Sequence, residues 1–182
     1  MKKKLIQSLY YLFIIHYSLF SACKSGNERH QQPVNTDSIK ERLINVNKVM
    51  VDNESARIAD FIKRHAWKMD STKTGVRYWI VNEGKGALPK ANDKVKINYR
   101  LFLLDGTLAY ESEKDKPLEF TLGRGESTAG LEEGLMKMHS GSKAWLIVPK
   151  YLGYGMTGDG KKIPGNSTLL YDVELKEVIS NK

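Results

Sequence analysis

From residue 77 onward the chain alternates apolar and polar positions in short runs, the period of half-buried strands. Val95, Ile97 and Tyr99 interleave with Lys96, Asn98 and Arg100, and Leu118, Phe120 and Leu122 with Glu119 and Thr121. Leu169, Tyr171, Val173 and Leu175 alternate with Leu170, Asp172, Glu174 and Lys176. Around Trp145, Ile147 and Pro149 the intervening Leu146 and Val148 are apolar too, which predicts a central strand covered on both faces. Gly75 marks the approach to a first strand, RYWIVN, and Asp105-Gly106 between apolar runs predicts a hairpin. One stretch here has helical spacing: Leu131, Leu135 and Met138 recur at i, i+4 and i+7, with Glu132, Glu133 and Lys137 off the stripe. Several strands and one short helix predict an α+β domain with the helix on one sheet face.

A second helical period precedes the strands. Thr36, Asp37 and Ser38 offer an N-cap, and Ile39, Leu43, Val46 and Met50 follow at 4-3-4 spacing. The stripe slips at Met50–Val51, beside Asn53, and resumes with Ile58 and Ile62, so two helices or one long irregular helix are expected. Such a segment packs on the neighbouring domain, acts as a spacer, or pairs with a second copy.

The start of the chain carries a different signal. Lys2, Lys3 and Lys4 precede an apolar run from Leu5 to Phe20 that ends at Ser21-Ala22-Cys23. A basic start, a short apolar run and small residues before a break predict a signal peptide over 1–22 rather than a spanning helix. Small residues before the only cysteine resemble a bacterial lipobox, which implies lipidation of Cys23, a membrane anchor facing the periplasm and a polar tether over 23–35. With one cysteine, no disulfide closes within the chain, and the fold rests on its core. Of the formal charge of +8, three units belong to Lys2–Lys4, and the remaining lysines are scattered. Neither pattern predicts a nucleic-acid partner. His30, His65 and His139 follow no metal-ligand spacing, which predicts surface or capping roles and no metal. No serine sits in a G-x-S-x-G elbow, and Gly123-Arg-Gly125 lacks the third glycine and the βαβ setting of a dinucleotide loop.

Eight motifs follow in order: VKINY (95–99), LDG (104–106), PLEFTLG (117–123), GLEEGLMKM (130–138), GSKAWLIVP (141–149), YLGYG (151–155), IPGNSTL (163–169) and YDVEL (171–175). Their order and spacing resemble the FKBP-type peptidyl-prolyl cis/trans isomerases over residues 76–178. The resemblance implies a twisted antiparallel sheet wrapped around one short helix, in a domain over 72–182 preceded by a helical segment over 36–70. It implies an enzyme that speeds rotation about X–Pro bonds in polypeptides, without a cofactor.

Carried over motif by motif, the resemblance implies a site around Tyr154, Tyr99 and Tyr110. Tyr154 is the loop tyrosine whose hydroxyl bonds the ligand carbonyl, and Tyr99 is a wall residue. Ile163 of the IP turn, Tyr171 before DVEL, Leu118 and Phe120 of PLEF, Leu131 before EEG, and Ser127 and Thr128 ahead of it would line the substrate pocket. The hairpin DGTLAYES departs from the family's D-G-x-x-F-D-S-S: Ala109 stands at the aromatic position and Tyr110 at the acidic one. A one-residue insertion would instead make Tyr110 and Glu111 the aromatic–acid pair.

A lipidated cysteine, a helical spacer and an FKBP-like domain also resemble lipoproteins of Bacteroidetes-type bacteria, including a gliding-motility-associated group. Two functions follow: an isomerase that assists folding of exported proteins, or a non-catalytic binding or chaperone lipoprotein with an altered pocket. Pairing through the N-terminal helical segment is the expectation drawn from the macrophage-infectivity-potentiator group of the same family.

Overall fold

Period-two alternation sorts the side chains of each strand onto two sheet faces, and both faces are put to use. The computed structural model describes residues 36–113 and 116–180. Residues 43–182 form one compact unit; of the other, residues 1–42, only the opening turns of a helix over 36–42 are described. The signal-peptide, tether and Cys23 assignments lie outside the described residues.

Helix α1 (Thr36–Arg64) is followed by β1 (Asp70–Ser71), β2 (Arg77–Asn82), β3 (Lys94–Leu103), β4 (Leu108–Glu111) and β5 (Leu118–Thr121). Then come α2 (Ala129–Leu135), β6 (Lys143–Val148), a 3₁₀ turn over Lys150–Leu152 and β7 (Leu169–Ile179). The strands run β1-β2-β6-β7-β3 with every pairing antiparallel. Two short strands share the remaining side of β3: β4 pairs with Arg100–Phe102 and β5 with Lys94–Ile97. In the expected hairpin Leu103 N–H donates to the Thr107 carbonyl at 2.9 Å, and Gly106 adopts φ +91°, the left-handed region glycine tolerates.

The inner face holds the main core. Val95, Ile97, Leu101, Leu146, Val148, Leu169, Tyr171, Val173 and Leu175 close against Leu131 and Leu135 of α2 and Met138 just beyond it. The predicted stripe is therefore buried, although the helix itself ends at Leu135. The two glycines of GLEEGL have a steric reason. A Cβ on Gly130 would stand 2.3 Å from Val148 Cγ1, and one on Gly134 would stand 2.5 Å from Leu146 Cδ1. Only a helix without side chains there can lie this close to β6.

The outer face is split in two. One end, with Lys94, Lys96, Arg100, Lys143, Asp172, Glu174 and Glu177, is an open lattice of ion pairs. The other is apolar and covered: Ile58 and Phe61 of α1 pack on Ile147 of β6 and Leu170 of β7. Trp67, just after the helix, sits 5.1 Å from Trp145 and 5.9 Å from Trp79, ring centre to ring centre. This cover explains why β6 reads apolar on both faces. Contacts also cross the expected limit between a helical segment over 36–70 and a domain over 72–182. Asp70 and Ser71 pair with Tyr78 and Arg77, and the outer core joins α1 to the sheet across that limit. α1 is continuous through Asn53, one helix and not two. His65 stacks on Phe61 and its Nδ1 lies 2.9 Å from the Phe61 carbonyl, a capping contact as expected. His139 Nδ1 lies 3.0 Å from the Gly86 carbonyl.

Candidate active site

Tyr99 and Tyr171 face the same way because they are diagonal cross-strand neighbours, two residues apart in register on β3 and β7: Tyr99 pairs with Val173 and Leu101 with Tyr171. Their ring centres are 6.2 Å apart. Tyr171 is buried, and its hydroxyl stands 3.5 Å from Thr128 Oγ1 at the mouth of α2, a long contact. Tyr99 is half-buried, and its backbone is held by Ser112: Tyr99 N–H donates to Ser112 Oγ at 3.0 Å, and Ser112 N–H to the Tyr99 carbonyl at 2.9 Å.

The loop from Pro149 to Thr168 brings the remaining groups. Gly153 and Gly155 donate their N–H groups to the Lys150 carbonyl at 3.2 and 3.0 Å, wrapping a tight turn around Tyr154. Tyr154 stays 36% exposed, and Asp159 of the same loop is the nearby carboxylate. Ile163 is buried in the main core, with its N–H donating to Asp159 Oδ1 at 2.8 Å. Lys161 N–H donates to the same oxygen at 2.9 Å. The other oxygen of Asp159 accepts the Tyr110 hydroxyl. That bond, with the backbone N–H groups of the loop, brings the Asp159 carboxyl down to about 2. It likewise raises the Tyr110 phenol, while burial raises those of Tyr99, Tyr154 and Tyr171. At neutral pH the cluster is four neutral hydroxyl donors and one carboxylate.

Placement of Tyr110 depends on a bulge. β3 and β4 pair Arg100 with Glu111 and Leu101 with Tyr110, but then Phe102 with Leu108. Ala109 is the extra residue, so Ala109 and Tyr110 both turn inward, Ala109 into the core and Tyr110 against it. Glu111 is exposed on the opposite side, in an open groove with Arg100, Lys143, Asp172 and Glu174. Of the two hairpin residues, Tyr110 and not Glu111 reaches the cluster.

Among the other expected lining residues, Phe120, Leu131 and Ala109 belong to the same core as Tyr171 and Ile163. Leu118, opposite Ile97, is 40% exposed on the β5 edge, and Ser127 is half-buried before α2. Two side chains went unread in the sequence. Asp159 is the acid of the cluster, carried by the loop where the hairpin was searched for one. Glu132 of α2 accepts Gly123 N–H at 2.7 Å and so fixes the turn between β5 and the helix.

The cluster thus sets hydroxyl donors and one carboxylate beside an aliphatic and aromatic floor. Comparison with known proteins gives the family. Residues 85–176 match the family model described as FKBP-type peptidyl-prolyl cis-trans isomerase. An FKBP-type 22 kDa peptidyl-prolyl cis-trans isomerase of Escherichia coli is 34% identical over 144 residues, covering 78% of this chain and 69% of that one. FK506-binding protein 2 of Dictyostelium discoideum is 47% identical over 88 residues, covering 47% of this chain and 65% of that one. A peptidyl-prolyl cis-trans isomerase of known structure from Pseudomonas syringae pv. tomato superposes with a TM-score of 0.61 at 25% identity, covering 73% of this chain and 96% of that one. The chain belongs to the FKBP-type family and has its fold. Its enzyme class is that of a peptidyl-prolyl cis-trans isomerase.

Proposed function

We propose that the chain speeds cis/trans exchange of X–Pro bonds in exported polypeptides while held at a membrane by lipid on Cys23. The observation that carries the catalytic part is the gathering of Tyr99, Ile163 and Tyr171 in one core, with Tyr154 on the loop beside them and 36% exposed. The reaction breaks no bond; its barrier, roughly 18–20 kcal/mol, is loss of amide resonance on twisting. Planar resonance separates charge, so water favours the planar amide over the twisted one. Moving the prolyl amide against Ile163, Leu131 and the tyrosine faces removes that water and lowers the barrier. A hydroxyl donor beside the substrate carbonyl, the role assigned to Tyr154, adds stabilisation where it fits the twisted form better than the planar one. Asp159 and Tyr110 hold the wall of the site through their hydrogen bond.

Anchoring rests on the Ser21-Ala22-Cys23 boundary after an apolar run. The same layout of lipidated cysteine, helix and FKBP domain supports kinship with Bacteroidetes-type lipoproteins, including the gliding-motility-associated group. Pairing of two copies through α1 is supported by its apolar residues before Glu54: Leu43, Ile44, Val46 and Val49 are all half exposed or more. Sedimentation of the full chain tests the pairing; a monomer at micromolar concentration rejects it.

The decisive experiment is a protease-free measurement of prolyl exchange with the full chain. Acceleration that saturates with peptide supports the isomerase. Peptide binding without acceleration would make the domain a binding module, the reading that Ala109 and Leu131 in place of aromatics would then favour.

A further inference from the structure

Glu54 of α1 lies 31 positions before the segment that matches the family model, and it is buried. One of its oxygens, Oε1, accepts two hydrogen bonds of 2.7 Å, from Lys150 N–H and from the Thr168 hydroxyl. Those two residues are the feet of the 150–168 loop, which carries Tyr154, Asp159 and Ile163. The Lys150 peptide continues inward, because its carbonyl takes the N–H groups of Gly153 and Gly155 on either side of Tyr154. Asn166 N–H, near the other foot, closes on the Gly155 carbonyl at 2.8 Å. A single buried carboxylate oxygen thus ties both ends of the loop to the helix, with one residue, Lys150, between it and the turn that aims Tyr154.

We infer that Glu54 is a positioning residue for the isomerase site: through Lys150 and Thr168, α1 sets the geometry of the Tyr154 loop. The inference rests on the isomerase reading of Tyr154. Buried polar groups are otherwise costly, and a carboxylate whose second oxygen, Oε2, has no partner is an expensive way to dock a helix. Ile58 and Phe61 already supply apolar docking to Ile147 and Leu170. What they do not supply is a directional hold on the loop. Because Ile163 is the one substrate wall on this loop and those on α2, β3 and β7 do not depend on Glu54, its loss should act mainly on the twisted state and less on ground-state binding.

The test uses the full chain and four substitutions: Glu54→Ala, Glu54→Gln, Thr168→Val and Ile58→Ala. For each, kcat and KM on a prolyl peptide are measured well below the melting temperature, together with hydrogen exchange at the Lys150 and Gly155 amides. Glu54→Ala should lower kcat about ten-fold with KM little changed, and should speed exchange at both amides. Glu54→Gln keeps an acceptor at Oε1 and should restore both readouts, while Thr168→Val should lie between. Ile58→Ala should lower the melting temperature and leave kcat alone. Wild-type kcat in Glu54→Ala overturns the inference, as does an equal fall in Ile58→Ala, which would mean generic packing. If Glu54→Ala does not fold, Thr168→Val decides, and unchanged kcat with unchanged exchange overturns it. If the wild-type chain accelerates no prolyl exchange, the isomerase reading falls and the catalytic role of Glu54 with it, whatever the amides do.

Discussion

Tyr110 on β4 donates its hydroxyl to Asp159, an acid 49 residues further on in the loop that also carries Tyr154. The family pattern puts an acid on the hairpin; here the hairpin supplies the phenol and the facing loop supplies the acid. Lys162 adds to the arrangement, its ammonium 5.1 Å from the centre of the Tyr110 ring.

This pairing gives a pH signature. The Asp159 carboxyl sits at about 2 in the folded protein, below its ordinary value of 3.8. A depressed carboxyl contributes stability that is complete above about pH 4 and is lost as pH falls toward about 2. Tyr110→Phe removes the largest cause of the depression and should shrink that window. Acid titration of Asp159 by carbon-detected NMR in both proteins checks it, and an unmoved midpoint would dissociate the pair.

Substituting an acid at the hairpin should harm the protein. Tyr110→Asp would set two carboxylates toward one another and leave Lys161 and Ile163 N–H groups on a competed acceptor. We expect lower catalytic efficiency and a lower melting temperature, with recovery in the exchanged double variant Tyr110→Asp, Asp159→Tyr. A gain in the single variant would contradict the placement of Asp159.

Tyr154→Phe removes one hydroxyl from a ring that is already partly in solvent. Catalytic efficiency should fall about ten-fold, the worth of one hydrogen bond of about 1–1.5 kcal/mol realised in the twisted state. Thermal stability should hardly move. Equal rates on a prolyl peptide would remove Tyr154 from the mechanism.

Phe61→Ala tests the outer core. Phe61 is buried against Ile147 and Leu170, so truncation should cost about 3–5 kcal/mol in chemical denaturation. A fragment over 72–182 lacks both β1 and this cover and should melt well below the full chain. Equal stability of fragment and full chain would show that α1 adds nothing to the fold.

Cys23→Ala should release the protein into the soluble fraction or stall its processing. Unchanged membrane fractionation and electrophoretic mobility would reject the lipid anchor.

The sheet was legible because its alternation is clean: Val95, Ile97 and Tyr99, or Tyr171, Val173 and Leu175, point to one face and are buried or half-buried there. The double-sided character of β6 was legible as well, but not what covers its second face. On α1 the most regular stripe, Leu43, Val46 and Met50, is exposed. Docking falls to Glu54, Ile58 and Phe61, where a buried carboxylate interrupts the apolar pattern. Tyr99, Ile163 and Tyr171, which belong to the family motifs, share one core in the structure. Asp159 could not be read from the sequence, since an acid between Gly158 and Gly160 reads as an ordinary turn residue. Its partner is fixed only when the loop folds back onto β4. The bulge at Ala109 was equally hidden, because an extra residue in a strand leaves the same letters in the same order.

The chain has three tryptophans, and Trp67, Trp79 and Trp145 all lie on the outer face under the end of α1. The candidate site is built from tyrosines on the other side of the sheet. Emission excited at the red edge of the indole band thus monitors helix docking and is nearly blind to peptide binding. Docking of the helix can thus be followed without a label, apart from events at the site on the opposite face.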